Sequence, residues 1–444
     1  MLKPFATAAA LFAASQAAHA AENVSSFTLE NGLQVVVIED DRAPVVTNMV
    51  WYKVGSADDP RGKSGIAHYL EHLMFKGTDE LAPGEFSEIV AANGGQGNAF
   101  TSYDFTGYFQ RIASDRLETV IRMEADRMRD LVISQDDWLA ERAVVLEERA
   151  SRVENSPSAL LGEQRTAALY LHHPYAVPII GWRHELEALT REDALEFYER
   201  FYAPNNAILV VAGDTTREEV RRLAETHFGP LDPSVDLPDR ERVSEPPHLS
   251  PRRVSLADPR VRQPYLSRTY LAPERDSGAQ EAAAALTMLA ELLGGGITSY
   301  FSQELELDEP VALSAGASYR GMALDETTFS VYIVPTPDVT LKEAEARLDQ
   351  AIADFLREGV DEEHLARIKA QIRASEIYRL DNQQGLARSY GAALTSGLTV
   401  DDVQAWPDVL EAVTAEDVLA AAREVFRLER SVTATLLTTE EVTQ

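Results

Sequence analysis

Between residues 229 and 253 the chain loses every hydrophobic period: Pro230, Pro233, Pro238, Pro246, Pro247 and Pro251 are mixed with acidic residues. Proline fixes φ and removes a backbone donor, so neither a helix nor a central strand runs through such a stretch. At 444 residues the chain also exceeds what one hydrophobic core ordinarily organises. Two domains are therefore expected, 21–230 and 254–444, joined by an exposed, semi-rigid linker over 231–253.

Each side of that linker reads as α+β. On the first side, Asn31-Gly32 supplies turn chemistry between strand patterns at 26–29 and 33–38, and 45–52 is a third. Helical spacing begins near Ser64 and covers 86–93, 117–131 and 135–153; strand returns at 207–212. On the second side, a strand pattern at 265–271 leads to an Ala-rich helix over 280–293, stopped at Gly294-Gly295-Gly296. Helices at 341–355 and 362–378 and a strand at 431–437 follow. The similar order predicts an internal duplication: two homologous α/β-sandwich-like halves, each a mainly antiparallel sheet covered by helices.

Composition narrows the function. With 72 acidic against 41 basic residues the formal charge is −31, which argues against nucleic acid or an anionic membrane as partner. It suits cationic partners or basic peptides, and it also serves solubility. There is no cysteine, so disulfides and thiolate chemistry are excluded. Residues 1–20 combine Lys3, an apolar run over 4–14 and Ala18-His19-Ala20, the pattern of a secretory signal peptide. No later run approaches about eighteen apolar residues. Export without disulfides points to a bacterial periplasm.

The chemistry concentrates in the segment from Gly65 to Gly77, which contains His68-Tyr69-Leu70-Glu71-His72. On a helix His68 and His72 lie one turn apart on one face, with Glu71 beside them. That spacing suits two zinc ligands and a neighbouring carboxylate able to take a proton from water. By itself it also fits a structural zinc or two hydrogen-bonded histidines. A second charged run holds Glu141, Glu147 and Glu148; Glu141 and Glu148 are two turns apart on a common face. Spacing alone leaves this run open between a metal ligand and a solvated surface.

The chain resembles the pitrilysin-type (M16) metallopeptidases, above all the short-chain branch with the mitochondrial processing peptidase β subunit and bacterial heterodimeric relatives. The resemblance covers essentially all of the chain beyond the leader. Its marks include Val54-Gly55-Ser56, the segment 65–77, Gly94-Gly95, residues 98–102, the run 141–148, His173-Pro174-Tyr175, Gly181, residues 202–206, Gly213-Asp214 and Gly294-Gly295-Gly296. Carried over motif by motif, it implies one Zn2+ held by His68, His72 and Glu148, with Glu71 as catalytic base and Glu141 supporting the site. It further implies that the strand holding Asn98, Ala99, Phe100 and Thr101 pairs with the backbone of an extended peptide substrate.

One departure matters. Active relatives carry an Arg and a Tyr, seven apart, just after the glycine turn of the second half. Glu306 and Leu313 stand at the matching positions here. The resemblance then implies a zinc endopeptidase completed by a sister subunit that lacks zinc residues but supplies that pair. A homodimer is the other arrangement it allows. From a different class, a catalytically silent structural or partner-binding subunit is the alternative, and the full set of His68, Glu71, His72 and Glu148 argues against it.

Overall fold

The computed structural model describes residues 23–308 and 310–439, so the leader expected over 1–20 lies outside the described residues. The first half supplies eight strands. These are β1 (Val24–Thr28), β2 (Gln34–Glu39), β3 (Val45–Tyr52), β4 (Gly77–Thr78), β5 (Gln96–Thr101), β6 (Thr106–Ala113), β7 (Leu131–Val132) and β8 (Ala207–Gly213). Six of them form a sheet in the order β1-β2-β8-β3-β6-β5, while β4 and β7 pair separately. Only β2 and β8 run parallel in the large sheet. The second half adds β9 (Arg252–Ala257), β10 (Tyr265–Ala272), β11 (Ala312–Tyr319), β12 (Thr327–Pro335) and β13 (Ser431–Leu437), in the order β11-β12-β10-β13-β9. Here β13 and β9 are the parallel pair. Read from opposite ends, five strands of each sheet match in order and direction, which bears out the duplication and the mixed, mostly antiparallel fold class.

Five helices of the first half are α1 (Ile66–Leu73), α2 (Glu85–Ala92), α3 (Leu117–Arg129), α4 (Gln135–Arg149) and α5 (Pro157–Leu169). Alternation decides which face of β3 each residue serves: Val46, Val50 and Tyr52 join the core beneath the helices, while Met49 and Trp51 face the opposite way. A helix of the second half, Gln383–Thr395, lies on that opposite face and packs Leu386, Ala387, Tyr390 and Leu394 against Met49, Trp51 and Val210. Gly391 permits the close approach, since a Cβ there would fall 2.0 Å from the Trp51 ring. The exchange is reciprocal. α5 of the first half lays Leu161 against Ala434 and Leu436 of β13.

The linker is exposed over most of its length, as expected, but a few of its side chains reach inward. Residues 230–251 carry no helix or strand, yet they are tied down by buried charge. Arg242, with its side chain 7% exposed, bonds Asp58 of the first half and Asp325 of the second, and also pairs with Asp104. Glu245 and His248 are buried and bond each other at 2.8 Å. Their polar character hid this role, because a linker arginine and a solvated arginine read alike in sequence. Among the described residues no helix is long and apolar enough to cross a membrane.

Candidate metal centre

α1 starts at Gly65, whose φ of 87° is left-handed and whose missing Cβ would fall 2.6 Å from the Ile180 carbonyl. Glycine is required there because only it adopts that conformation without strain and leaves room for the crossing chain. The helix then packs Ile66, Ala67, Tyr69, Leu70 and Leu73 into the hydrophobic core, and buries His68 as well. This leaves His68, Glu71 and His72 along the side facing α4 and β5. α4 opens with a capping box, Ser134 against Asp137, and packs Trp138 on the Tyr69 ring at 4.2 Å. That contact sets the rotation of α4, and its Glu141 and Glu148 turn toward the histidines.

His68, His72 and Glu148 converge. One ligand atom from each lies within 4.8 Å of the others, and among the described residues this is the one such group. Glu148 Oε2 stands 3.1 Å from His72 Nε2 and 3.6 Å from His68 Nε2. Ligands at about 2.0–2.1 Å from a tetrahedral zinc stand about 3.3 Å apart, so these separations suit a shared ion. Glu148 Oε2 is also buried without a hydrogen-bond partner, as is His68 Nδ1. Buried carboxylate oxygens are ordinarily satisfied, and a cation between the three groups would satisfy this one. The residues fit the metal.

The surrounding contacts fix the ligands. His72 Nδ1 donates to Glu141 Oε1 at 3.0 Å, which leaves Nε2 directed at Glu148. Lys76 Nζ pairs with the other Glu141 oxygen at 2.6 Å. Burial raises the Glu141 carboxyl, but the His72 and Lys76 bonds outweigh it and hold the group below its ordinary value. α4 continues into one π-turn, Ala150–Glu154, and Arg152 from that turn bonds Glu148 Oε1 at 2.9 Å. Burial pushes the His68 imidazole down to about 3, so it is neutral and able to ligate. Lys76 and Arg152 were not legible as site residues, being single charges among many.

Glu71 lies largely buried beside this group and accepts a bond from Thr101 Oγ1 at 2.6 Å. Burial raises its carboxyl, and Thr101 partly opposes the rise. β5 is an edge strand, as expected, and Asn98 is exposed on it. Ala99 and Phe100 alternate: Ala99 packs toward the core under α1, and Phe100 packs edge-on to Trp51 at 4.9 Å with Arg388 over its ring. The Phe100 side chain is thereby committed to packing on the far face of the sheet. In the second half, Glu306 Oε1 accepts from Ser302 Oγ and the Ala315 N–H, and Leu313 is exposed. Neither position offers a cation or a phenol.

The paired sheets and the His-His-Glu group define a two-domain fold with a candidate metal site in its first half. A family model described as Insulinase (Peptidase family M16) matches residues 34–182, and one described as Peptidase M16 inactive domain matches residues 188–372. The chain belongs to peptidase family M16. It is similar to the zinc protease PqqE of Helicobacter pylori, with 31% identity over 417 residues that cover 92% of this chain and 91% of that protein. A crystal structure of a protease from Helicobacter pylori superposes with a TM-score of 0.88 at 30% identity, covering 94% of this chain and 99% of that one. The first half of the periplasmic protease PqqL from Escherichia coli shares the fold, with a TM-score of 0.79 over 95% of this chain and 93% of that one at 18% identity.

Proposed function

We propose that this chain is a zinc-dependent endopeptidase of unfolded or extended peptides, exported to the periplasm. The observation that carries the reading is the convergence of His68, His72 and Glu148 around an unsatisfied carboxylate oxygen, with Glu71 alongside. Zinc in this setting supplies Lewis-acid polarisation of the scissile carbonyl and activation of water. Glu71 takes the proton of the attacking water and returns it to the leaving amine. Thr101 holds the Glu71 carboxylate toward that task, and Glu141 holds the His72 ring. β5 binds the substrate backbone: the Ala99 N–H now donates to Asn98 Oδ1 at 2.9 Å, a local partner that an incoming strand displaces.

The second half lacks an Arg and a Tyr at positions 306 and 313, so a sister subunit without zinc ligands completes the site in a heterodimer. The purified chain, with zinc and an unfolded peptide mixture, tests the first claim by mass spectrometry. Cleavage that vanishes in Glu71→Gln is expected, alone or with the partner recovered by affinity capture. If zinc-loaded chain and its captured partners cleave nothing, or Glu71→Gln cleaves as the parent does, a silent structural subunit is the better reading.

A further inference from the structure

Where the two halves meet, a cavity of about 550 Å³ opens beside the end of β5. Ser102 and Tyr103, the residues that follow Thr101, line one wall, and β10, β11 and β12 form another. Its charge is opposite to that of the whole protein. Two arginines reach it, Arg165 from α5 and Arg320 just beyond β11, against a single carboxylate, Asp104. Asp104 is already engaged: the Tyr175 hydroxyl donates to both its oxygens at 2.7 Å, the Leu324 N–H donates at 3.1 Å, and Arg242 pairs with it.

The arginines are underused by comparison. Among the described residues Arg165 makes one hydrogen bond, to Ser267 Oγ at 3.1 Å, and its Nε is buried without a partner. Among the described residues the Arg320 guanidinium has no ion pair; its backbone N–H alone is bonded, to the Thr328 carbonyl at 3.1 Å. Burial lowers the Arg165 guanidinium, and the nearby Arg320 charge lowers it further. A chain with 72 acidic side chains could have neutralised this pair and has not. Two guanidiniums lining one half-enclosed cavity favour an oxyanion, and a planar carboxylate matches their fork of donors.

We infer that this cavity is a carboxylate-binding subsite, in which Arg165 and Arg320 hold an acidic side chain or the C-terminal carboxylate of a peptide lying along β5. The inference rests on the peptidase reading above, and it opposes the preference for basic peptides that net charge alone suggests. Ser102 and Tyr103, which carry the chain on from β5, bring the end of that strand to the cavity these arginines line.

The test is binding, separate from turnover. The full zinc-loaded chain carrying Glu71→Gln is titrated with one fluorescent unfolded peptide in four forms, with Glu or Gln at one position and with a free or amidated C-terminus. Fluorescence anisotropy gives the affinity ratio within each pair. A ratio of about tenfold favouring the charged form is expected in one pair, in line with a charge-assisted bond. That pair identifies the source of the carboxylate. Arg320→Gln, at an exposed position, and the conservative Arg165→Lys should each bring the ratio toward one. A ratio of one in the parent, or an unchanged ratio in both variants, overturns the subsite. If that happens while Glu71-dependent cleavage stands, only the subsite is lost. Failure of every peptide to bind or to be cleaved removes the peptidase reading and the subsite with it.

Discussion

β5 and β11 hold the same outer place in two sheets of one strand order, and α1 and the helix Glu281–Gly294 follow equivalent strands, β3 and β10. The two helices were put to different uses. Glu281–Gly294 buries Ala283, Ala284, Ala285, Leu286, Met288, Leu289 and Leu293, so it is packing on nearly every side. α1 is shorter and keeps His68, Glu71 and His72 on one side, where α4 and β5 bring carboxylates and a hydroxyl to meet them. A duplicated scaffold therefore constrains where chemistry can sit without dictating that it does. The second half gives its helix to its core and contributes instead a cavity wall and the helix that backs the first sheet.

The most direct way to erase the difference is Glu71→Gln, which should leave the first half as inert as the second. Loss of a general base costs about 10²–10⁴-fold in kcat. Zinc content measured alongside should stay near that of the parent, since Glu71 is outside the His-His-Glu group. Next in size is the tie between the halves. Arg242→Gln leaves Asp58, Asp104 and Asp325 without their shared cation, and breaking a buried pair of this kind costs about 3–5 kcal/mol. Chemical denaturation should register that loss. Burial raises the Asp325 carboxyl, but His173 and Arg242 hold it below its ordinary value overall. A lowered carboxyl contributes stability above the ordinary carboxylate range and loses it as pH falls through the lowered value. The parent should therefore be insensitive through this group from pH 7 to about 5 and weaken below about pH 4. A parent and variant with the same midpoint would show that the linker merely drapes over the surface.

How much of this was legible depended on whether the signal was local. The strand over 45–52 and the helix expected over 341–355 declare themselves by apolar period, and they stand as Val45–Tyr52 and Leu341–Glu358. The helical pattern at 135–153 was read as one helix; it is α4 plus a π-turn, a distinction no spacing conveys. Leu131, read as the end of a helix, instead starts β7, because its partner β4 lies far back in the chain. The swap of α5 and Gln383–Thr395 between halves was invisible, since each helix has apolar residues enough for either sheet. At the candidate metal centre the His68, Glu71 and His72 spacing was readable because one helix carries all three. Glu148 required the resemblance, as its place depends on how α4 packs. Thr101 was placed on a substrate strand, and its hydroxyl bond to Glu71 emerged only with the register of β5 against α1.

Two smaller substitutions sharpen the contrast by loosening the first half without removing its ligands. Glu141→Gln keeps the shape but gives up the charge that both His72 and Lys76 bond. Partners of this kind typically govern metal affinity by about 10–100-fold. Competition with a chromophoric chelator should show zinc affinity falling within that range, and an unchanged value would mean that Glu141 serves folding alone.

Thr101→Val is the mildest. It preserves the volume at the end of β5 and deletes only the 2.6 Å bond to Glu71 Oε2. A hydrogen bond to a charged group is worth about 1.5 kcal/mol at the lower end, which corresponds to about tenfold in rate if the bond orients the carboxylate for the proton transfer. The comparison to make is kcat against KM on one peptide. A fall in kcat with KM nearly unchanged assigns Thr101 to positioning the base, whereas a rise in KM alone returns it to the role its place on an edge strand first implied, that of holding substrate.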